Sequence, residues 1–188
     1  MAAAAHESEF SPTHGATRVE RTFAFIDLSG FTALTDQAGD TEAVSVLACF
    51  RASVRRVSSE RAVRVAKWLG DGAMLVSVTR EPLVEAIVDM HHIIEDTCGG
   101  LPLRAGLAAG PVILFEGDDY IGSVVNLAAR LCDLAGPGQV IAPADIVTPA
   151  MVNTLVEPVG LITVRGFEAP VEVVRLDRLP GRVGALEP

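Results

Sequence analysis

The chain reads as an α+β domain, a sheet with helices packed on one face, and three observations lead there. Apolar residues fall along the chain either in short runs or at steps of three and four, the signatures of buried strand and amphipathic helix. The resulting order is strand, helix, two strands, helix, then further strands, an order that suits an α+β sheet. Finally, 188 residues with 49% apolar and 21% charged side chains, and with no internal repeat or linker, fit one globular domain with a sizeable core.

Residues 1 to about 20 are small and polar, broken by Pro12 and Gly15, and read as a flexible lead-in; residues 21–177 form the expected domain. Thr22 to Ile26 is a short apolar run ending at Asp27, the pattern of a buried strand. Val44, Leu47, Phe50, Val54 and Val57 recur at helical steps and predict an amphipathic helix from about Thr41 to Ser59. Ala62 to Trp68 and Ala73 to Val78 read as two strands of a hairpin, with Gly70-Asp71-Gly72 at its tip. Pro82 suits the first turn of a second helix, whose apolar face is Leu83, Ile87, Met90 and Ile94 and which Gly99-Gly100 stops.

Leu101 to Ala108 and Val112 to Phe115 read as a strand pair broken at Gly110-Pro111. A polar turn from Glu116 to Asp119 leads into a helix from about Gly122 to Leu134, ended by Gly136-Pro137-Gly138. A short strand near Val140, a helix from about Ala144 to Asn153, and strands at Leu161 to Val164 and Val171 to Leu176 complete the domain. Residues 178–188 read as a flexible tail.

Net charge is −9 and the pI is about 4.8, which argues against a broad nucleic-acid or acidic-lipid surface. No apolar run approaches the roughly 20 residues that a membrane helix needs, and the first residues lack the basic and apolar regions of a signal peptide. Cys49, Cys98 and Cys132 are odd in number and lack metal-ligand spacing, so they read as buried thiols of a cytoplasmic protein.

Fourteen of the fifteen basic residues are arginine, and the single lysine, Lys67, stands four residues before Asp71. A lone lysine in such a chain marks a place for a compact, rotatable donor where a rigid fork would not serve. Asp27 and Asp71 each end a predicted strand. Carboxylates at adjoining strand ends suit Mg²⁺ or Mn²⁺, which take hard oxygen ligands and keep positions for substrate phosphates. Each Asp taken alone could equally cap a turn beside glycine. Asn126 and Arg130 stand four apart on one predicted helix, near a start that favours anions, where they could grip a phosphate and a sugar oxygen.

Three segments carry a resemblance: FAFIDLSGFTAL around Asp27, KWLGDGAML around Lys67 and Asp71, and DDYIGSVVNLAARL around Asp119, Asn126 and Arg130. With the tail VRGFEAPVEVVRL, they make residues 21–176 resemble the catalytic domain of the class III nucleotidyl cyclases, in particular bacterial adenylate cyclases. The resemblance implies a ferredoxin-like, palm-type α+β fold working as a head-to-tail homodimer with composite sites. It implies conversion of ATP to 3′,5′-cyclic AMP and pyrophosphate, with Asp27 and Asp71 holding two divalent metal ions, Mg²⁺ or Mn²⁺. Lys67 and Asp119 would read the adenine edge, Asn126 would orient the ribose, and Arg130 would stabilise the transition state.

The chain departs from the family pattern in two places. No lysine lies near the last strands to meet a triphosphate, where Arg165 is the nearest cation, and the segment between Pro111 and Asp119 is short. Other readings are a silent cyclase-like module that binds nucleotide or a partner, and a guanylate cyclase, which Lys67 and Asp119 disfavour. The GG[DE]EF loop of diguanylate cyclases is absent.

Overall fold

The structure is a computed structural model that describes residues 16–117, 119–151 and 153–179. In chain order the strands are β1 (Ala16–Leu28), β2 (Arg64–Leu69), β3 (Gly72–Ser77), β4 (Leu103–Phe115), β5 (Asp119–Ile121), β6 (Val140–Pro143), β7 (Thr154–Ile162) and β8 (Val171–Arg178). The helices are α1 (Phe31–Ala38), α2 (Asp40–Glu60), α3 (Arg80–Thr97) and α4 (Ser123–Leu134). They build one sheet in the order β2-β3-β1-β4-β6-β8-β7, with β5 paired to β4. β4 and β6 run parallel; the other neighbours are antiparallel.

The helices do not share one face, as the sequence had suggested. Strand alternation sends Ala24, Ile26, Ala73 and Leu75 to one side, where they join Phe50 and Val54 of α2 and Leu83 and Ile87 of α3. Phe23, Met74, Val76 and Ala108 point the other way and pack against Ala128 of α4. The helix α4 therefore lies alone on the second face. Gly106 permits this: a Cβ there would sit 2.0 Å from the backbone nitrogen of Cys132 and 2.4 Å from the carbonyl of Ala128.

Several local expectations change. β1 begins at Ala16, inside the segment read as a lead-in, because Ala16 to Glu20 pair with Phe115 to Pro111. The remainder of that segment, residues 1–15, and the tail from residue 180 lie outside the described residues. β4 is one continuous strand through Gly110-Pro111. Its partner β6 holds Ala105–Gly106 and β5 holds Ile113–Phe115, so Pro111 stands between two partners, where a missing N–H costs little.

The helix expected from Ala144 to Asn153 shrinks to a single 3₁₀ turn, Ala144–Ile146. Pro149 disfavours helical geometry at Thr148 and ends it. Cys49 and Cys98 are not free thiols: they form a disulfide that ties α2 to the end of α3, with Cα atoms 5.6 Å apart. Cys132 is free and buried, as expected. Among the described residues no helix is long and apolar enough to cross a membrane.

Candidate active site

Asp27 and Asp71 come together. Asp27 is the next-to-last residue of β1 and pairs in register with Gly72, the first residue of β3. Asp71 lies in the two-residue turn between Leu69 and Gly72, and its carbonyl accepts a hydrogen bond from Leu28 N at 3.3 Å. Gly72 allows the approach, since a Cβ there would meet the carbonyl of Ile26 at 2.5 Å. The turn is braced from α2: Arg51 donates to Gly70 O at 3.2 Å, and Arg51 and Arg55 both stack on Trp68 at 5.2 Å.

The two carboxylates line one cleft with Ser29, Gly30, Phe31, Arg104 and Pro137. Arg104 is the residue that sequence reasoning missed. Its Nε and Nη2 donate to the same oxygen of Asp27, at 2.9 and 2.6 Å. The signal was its place in β4: Leu103, Ala105 and Leu107 belong to the core on one face, so Arg104 had to emerge on the other, beside Asp27.

Burial raises the Asp71 carboxyl above the ordinary aspartate range, and the negative charge of Asp27 adds to the rise. The Asp27 hydrogen bond strengthens the hold of Arg104 on its proton. Beneath them, burial pushes the Cys132 thiol up to about 12, so it stays neutral. The oxygen donor set fits a hard divalent cation. Two carboxylates converge, one is disfavoured as an anion while unpaired, and the nearby Ser29 Oγ is buried without a hydrogen-bond partner.

Lys67 and Asp119 form a second group. Lys67 is opposite Met74 in the β2–β3 register and so faces the α4 side. The β4–β5 hairpin folds over that side, where Tyr120 packs edge-on against Phe23 with ring centres 5.2 Å apart. This brings Asp119 Oδ1 to 2.5 Å from Lys67 Nζ, with both side chains about half exposed. Asn126 and Arg130 form a third group, exposed on the outer surface of α4. Neither residue, nor Lys67 or Asp119, is among the described residues lining the Asp27–Asp71 cleft. Arg165 is exposed in the β7–β8 connection, so the cation at the carboxylates is Arg104.

No protein-family model matches the chain. An uncharacterized protein of Mycobacterium tuberculosis (strain ATCC 25618 / H37Rv) is 39% identical over 161 residues, which are 83% of this chain and 41% of that protein. A pH-sensitive adenylate cyclase of Mycobacterium tuberculosis (strain CDC 1551 / Oshkosh) is 33% identical over 181 residues, covering 93% of this chain and 44% of the relative. The chain thus spans less than half the length of these relatives. Among solved structures, the adenylyl cyclase CyaB from P. aeruginosa matches with a TM-score of 0.77 at 19% identity, over 90% of this chain and 99% of its own. The guanylyl cyclase Cya2 matches with a TM-score of 0.76 at 18% identity, over 92% and 100%. Such identities speak for the fold and do not choose between adenine and guanine. The chain thus has the fold of class III nucleotidyl cyclase catalytic domains and is related in sequence, over 93% of its length, to a mycobacterial adenylate cyclase.

Proposed function

We propose that the chain is an adenylate cyclase that converts ATP to 3′,5′-cyclic AMP and pyrophosphate at sites shared between two copies. The observation that carries this reading is the convergence of Asp27 and Asp71 in one cleft. Mg²⁺ or Mn²⁺ held there would lower the pKa of the ribose 3′-hydroxyl and neutralise triphosphate charge. The 3′-oxygen forms a bond to the α-phosphorus, the bond from that phosphorus to the bridging oxygen breaks, and pyrophosphate departs while the hydroxyl proton passes to solvent. Asp27 and Asp71 supply the oxygen ligands. Arg104, once released by Asp27, faces the departing negative charge.

Lys67 and Asp119 present a donor and an acceptor side by side, complementary to the N1 acceptor and N6 donor of adenine. Guanine offers the reverse pattern and would leave both groups mismatched, the kind of error that a polar site rejects strongly. Asn126 orients the ribose and Arg130 stabilises the transition state. Because both stand exposed on α4 and outside the cleft, we assign them to the site of a second copy, which also supports the homodimer.

A silent nucleotide-binding module is the second reading, favoured by the Arg104–Asp27 ion pair, which occupies a carboxylate that a metal would need. Purified chain incubated with ATP or GTP and Mg²⁺ or Mn²⁺, followed by chromatography, decides between them. Cyclic AMP from ATP alone is expected. Cyclic GMP alone would move the assignment to guanylate cyclase, and bound but unconverted nucleotide to a silent module. In a Lys67→Glu, Asp119→Cys chain, ATP use should fall about 10²-fold or more, with a smaller gain for GTP. An unchanged ATP-to-GTP ratio would remove both residues from the base pocket.

A further inference from the structure

Away from the Asp27–Asp71 cleft, two adjacent imidazoles on α3 converge on a carboxylate of β8. His92 Nε2 is 2.9 Å from Asp177 Oδ1, and one ligand atom each from His91, His92 and Asp177 lie within 4.8 Å of one another. Neighbouring residues on a helix normally point about 100° apart. Here the two ring centres are only 4.9 Å apart, with their planes 54° from parallel. A further carboxylate, Glu95, lies one helical turn from His91, its oxygen 4.0 Å from His91 Nε2.

His91 is only 7% exposed, yet its Nδ1 has no hydrogen-bond partner. A buried imidazole nitrogen without a well-formed hydrogen bond is unusual, because buried polar atoms are satisfied as a rule; the backbone of Leu103 also faces the ring. The apolar core does not explain it, and the catalytic reading makes no use of it. Asp89 on α3 and Arg178, next to Asp177 on β8, are already paired to each other at 3.0 Å.

We propose that His91, His92 and Asp177 form a binding site for a divalent transition-metal ion of the zinc class, separate from the catalytic pair and joining α3 to β8. The donor chemistry favours that class: two imidazole nitrogens and a carboxylate suit Zn²⁺, whereas Mg²⁺ takes oxygen ligands. Glu95 is placed to complete a fourth position by a side-chain rotation. The site also backs onto the cleft wall. His91 lies against Gly138, where a Cβ would be 3.7 Å from its ring, and the adjacent Pro137 lines the Asp27–Asp71 cleft.

Co²⁺ is the probe, because imidazole-bound tetrahedral Co²⁺ absorbs visible light while catalytic Mg²⁺ does not. The full chain, freed of metal with EDTA and dialysed, is titrated with Co²⁺ in the wild type and three variants. We expect one equivalent to develop the tetrahedral absorption in the wild type and in Asp27→Asn/Asp71→Asn, and Zn²⁺ to displace it. The absorption should be lost in His92→Ala and in Asp177→Asn. Asp177→Asn keeps the side-chain shape and decides the matter should His92→Ala fail to fold. An absent signal in the wild type would overturn the site, as would one that survives Asp177→Asn, one that vanishes with Asp27→Asn/Asp71→Asn, or one showing thiolate charge transfer from Cys132.

Discussion

On the α2–α3 face of the sheet Phe50, Leu75, Leu83 and Ile87 are all 0% exposed, whereas on the α4 side Ile121 is 56% and Leu134 50% exposed. The same strands serve both faces, so the difference is one of use. The first face is closed over a continuous core, and the proposed His91–His92–Asp177 group lies at its edge, between α3 and β8. The second carries Asp27, Arg104, Lys67 and Asp119, with Asn126 and Arg130 on the helix that only partly covers it. A half-covered face with exposed polar side chains and open apolar residues is what an association surface looks like before its partner arrives. The closed face holds the fold, and on the proposed reading the open one would receive substrate and a second copy.

The comparison is broken most sharply by exchanging the consequences of mutation on the two faces. Asp71→Asn should lower cyclase turnover about a thousandfold or more, since losing a metal ligand forfeits several kcal/mol of transition-state stabilisation, while far-UV circular dichroism stays unchanged. Phe50→Ala should do the opposite. We expect about 3–5 kcal/mol of lost stability in denaturant unfolding, with near-normal turnover per folded molecule. Near-normal turnover in Asp71→Asn with Mn²⁺ would sink the metal assignment.

A shared site sharpens the comparison further. Asp27→Ala and Arg130→Ala homodimers should each be inactive. Mixed after subunit exchange, about half the dimers are hybrid and one of their two sites is whole, so roughly a quarter of wild-type activity should return. A site built within one chain predicts no recovery at any mixing ratio.

Smaller effects follow from the open apolar rim. Ile121→Ser should change unfolding free energy by no more than about 0.5 kcal/mol, as surface substitutions do, yet specific activity should fall off at higher protein concentration on dilution. Flat activity across dilution for both chains would place Ile121 outside the interface.

The smallest effect concerns Asp71 itself. Its folded pKa is raised above the ordinary 3.8, chiefly by burial, so its ionised form disfavours the fold. The protonated form's contribution is complete below 3.8 and is lost as pH rises through the folded value. In EDTA, Asp71→Asn should therefore melt slightly above the wild type at pH 7, and the gap should close on acidification. A gap that widens toward acid would reverse this account.

Much of the first face was legible in the sequence, because burial on one side of a helix leaves a periodic record. Val54 and Phe50 of α2 and Leu83, Ile87, Met90 and Ile94 of α3 are buried as their spacing implied. Elements without such a record were missed. α1 buries no residue fully and is only eight residues long, and β5 is three residues with its outer two exposed. The pairing of Cys49 with Cys98 is set by the packing of α2 on α3, which no local pattern reports. The candidate site was read from the sequence as six residues in three motifs. What the sequence could not convey was Arg104, whose role comes from the register that sets β4 against Asp27, and the separation of the six into three groups within one chain.

One hydrogen atom, the side chain of Gly106, sets the gap between the strand that carries Arg104 and the helix that carries Arg130. In a head-to-tail pair the strand would serve one active site and the helix the other, so that spacing would enter the assembly twice. A methyl group at this position would act as a shim under the helix, widening the angle between two working surfaces that belong to different sites. The resulting misalignment would be inherited by both sites at once, and no adjustment at a single site could correct it.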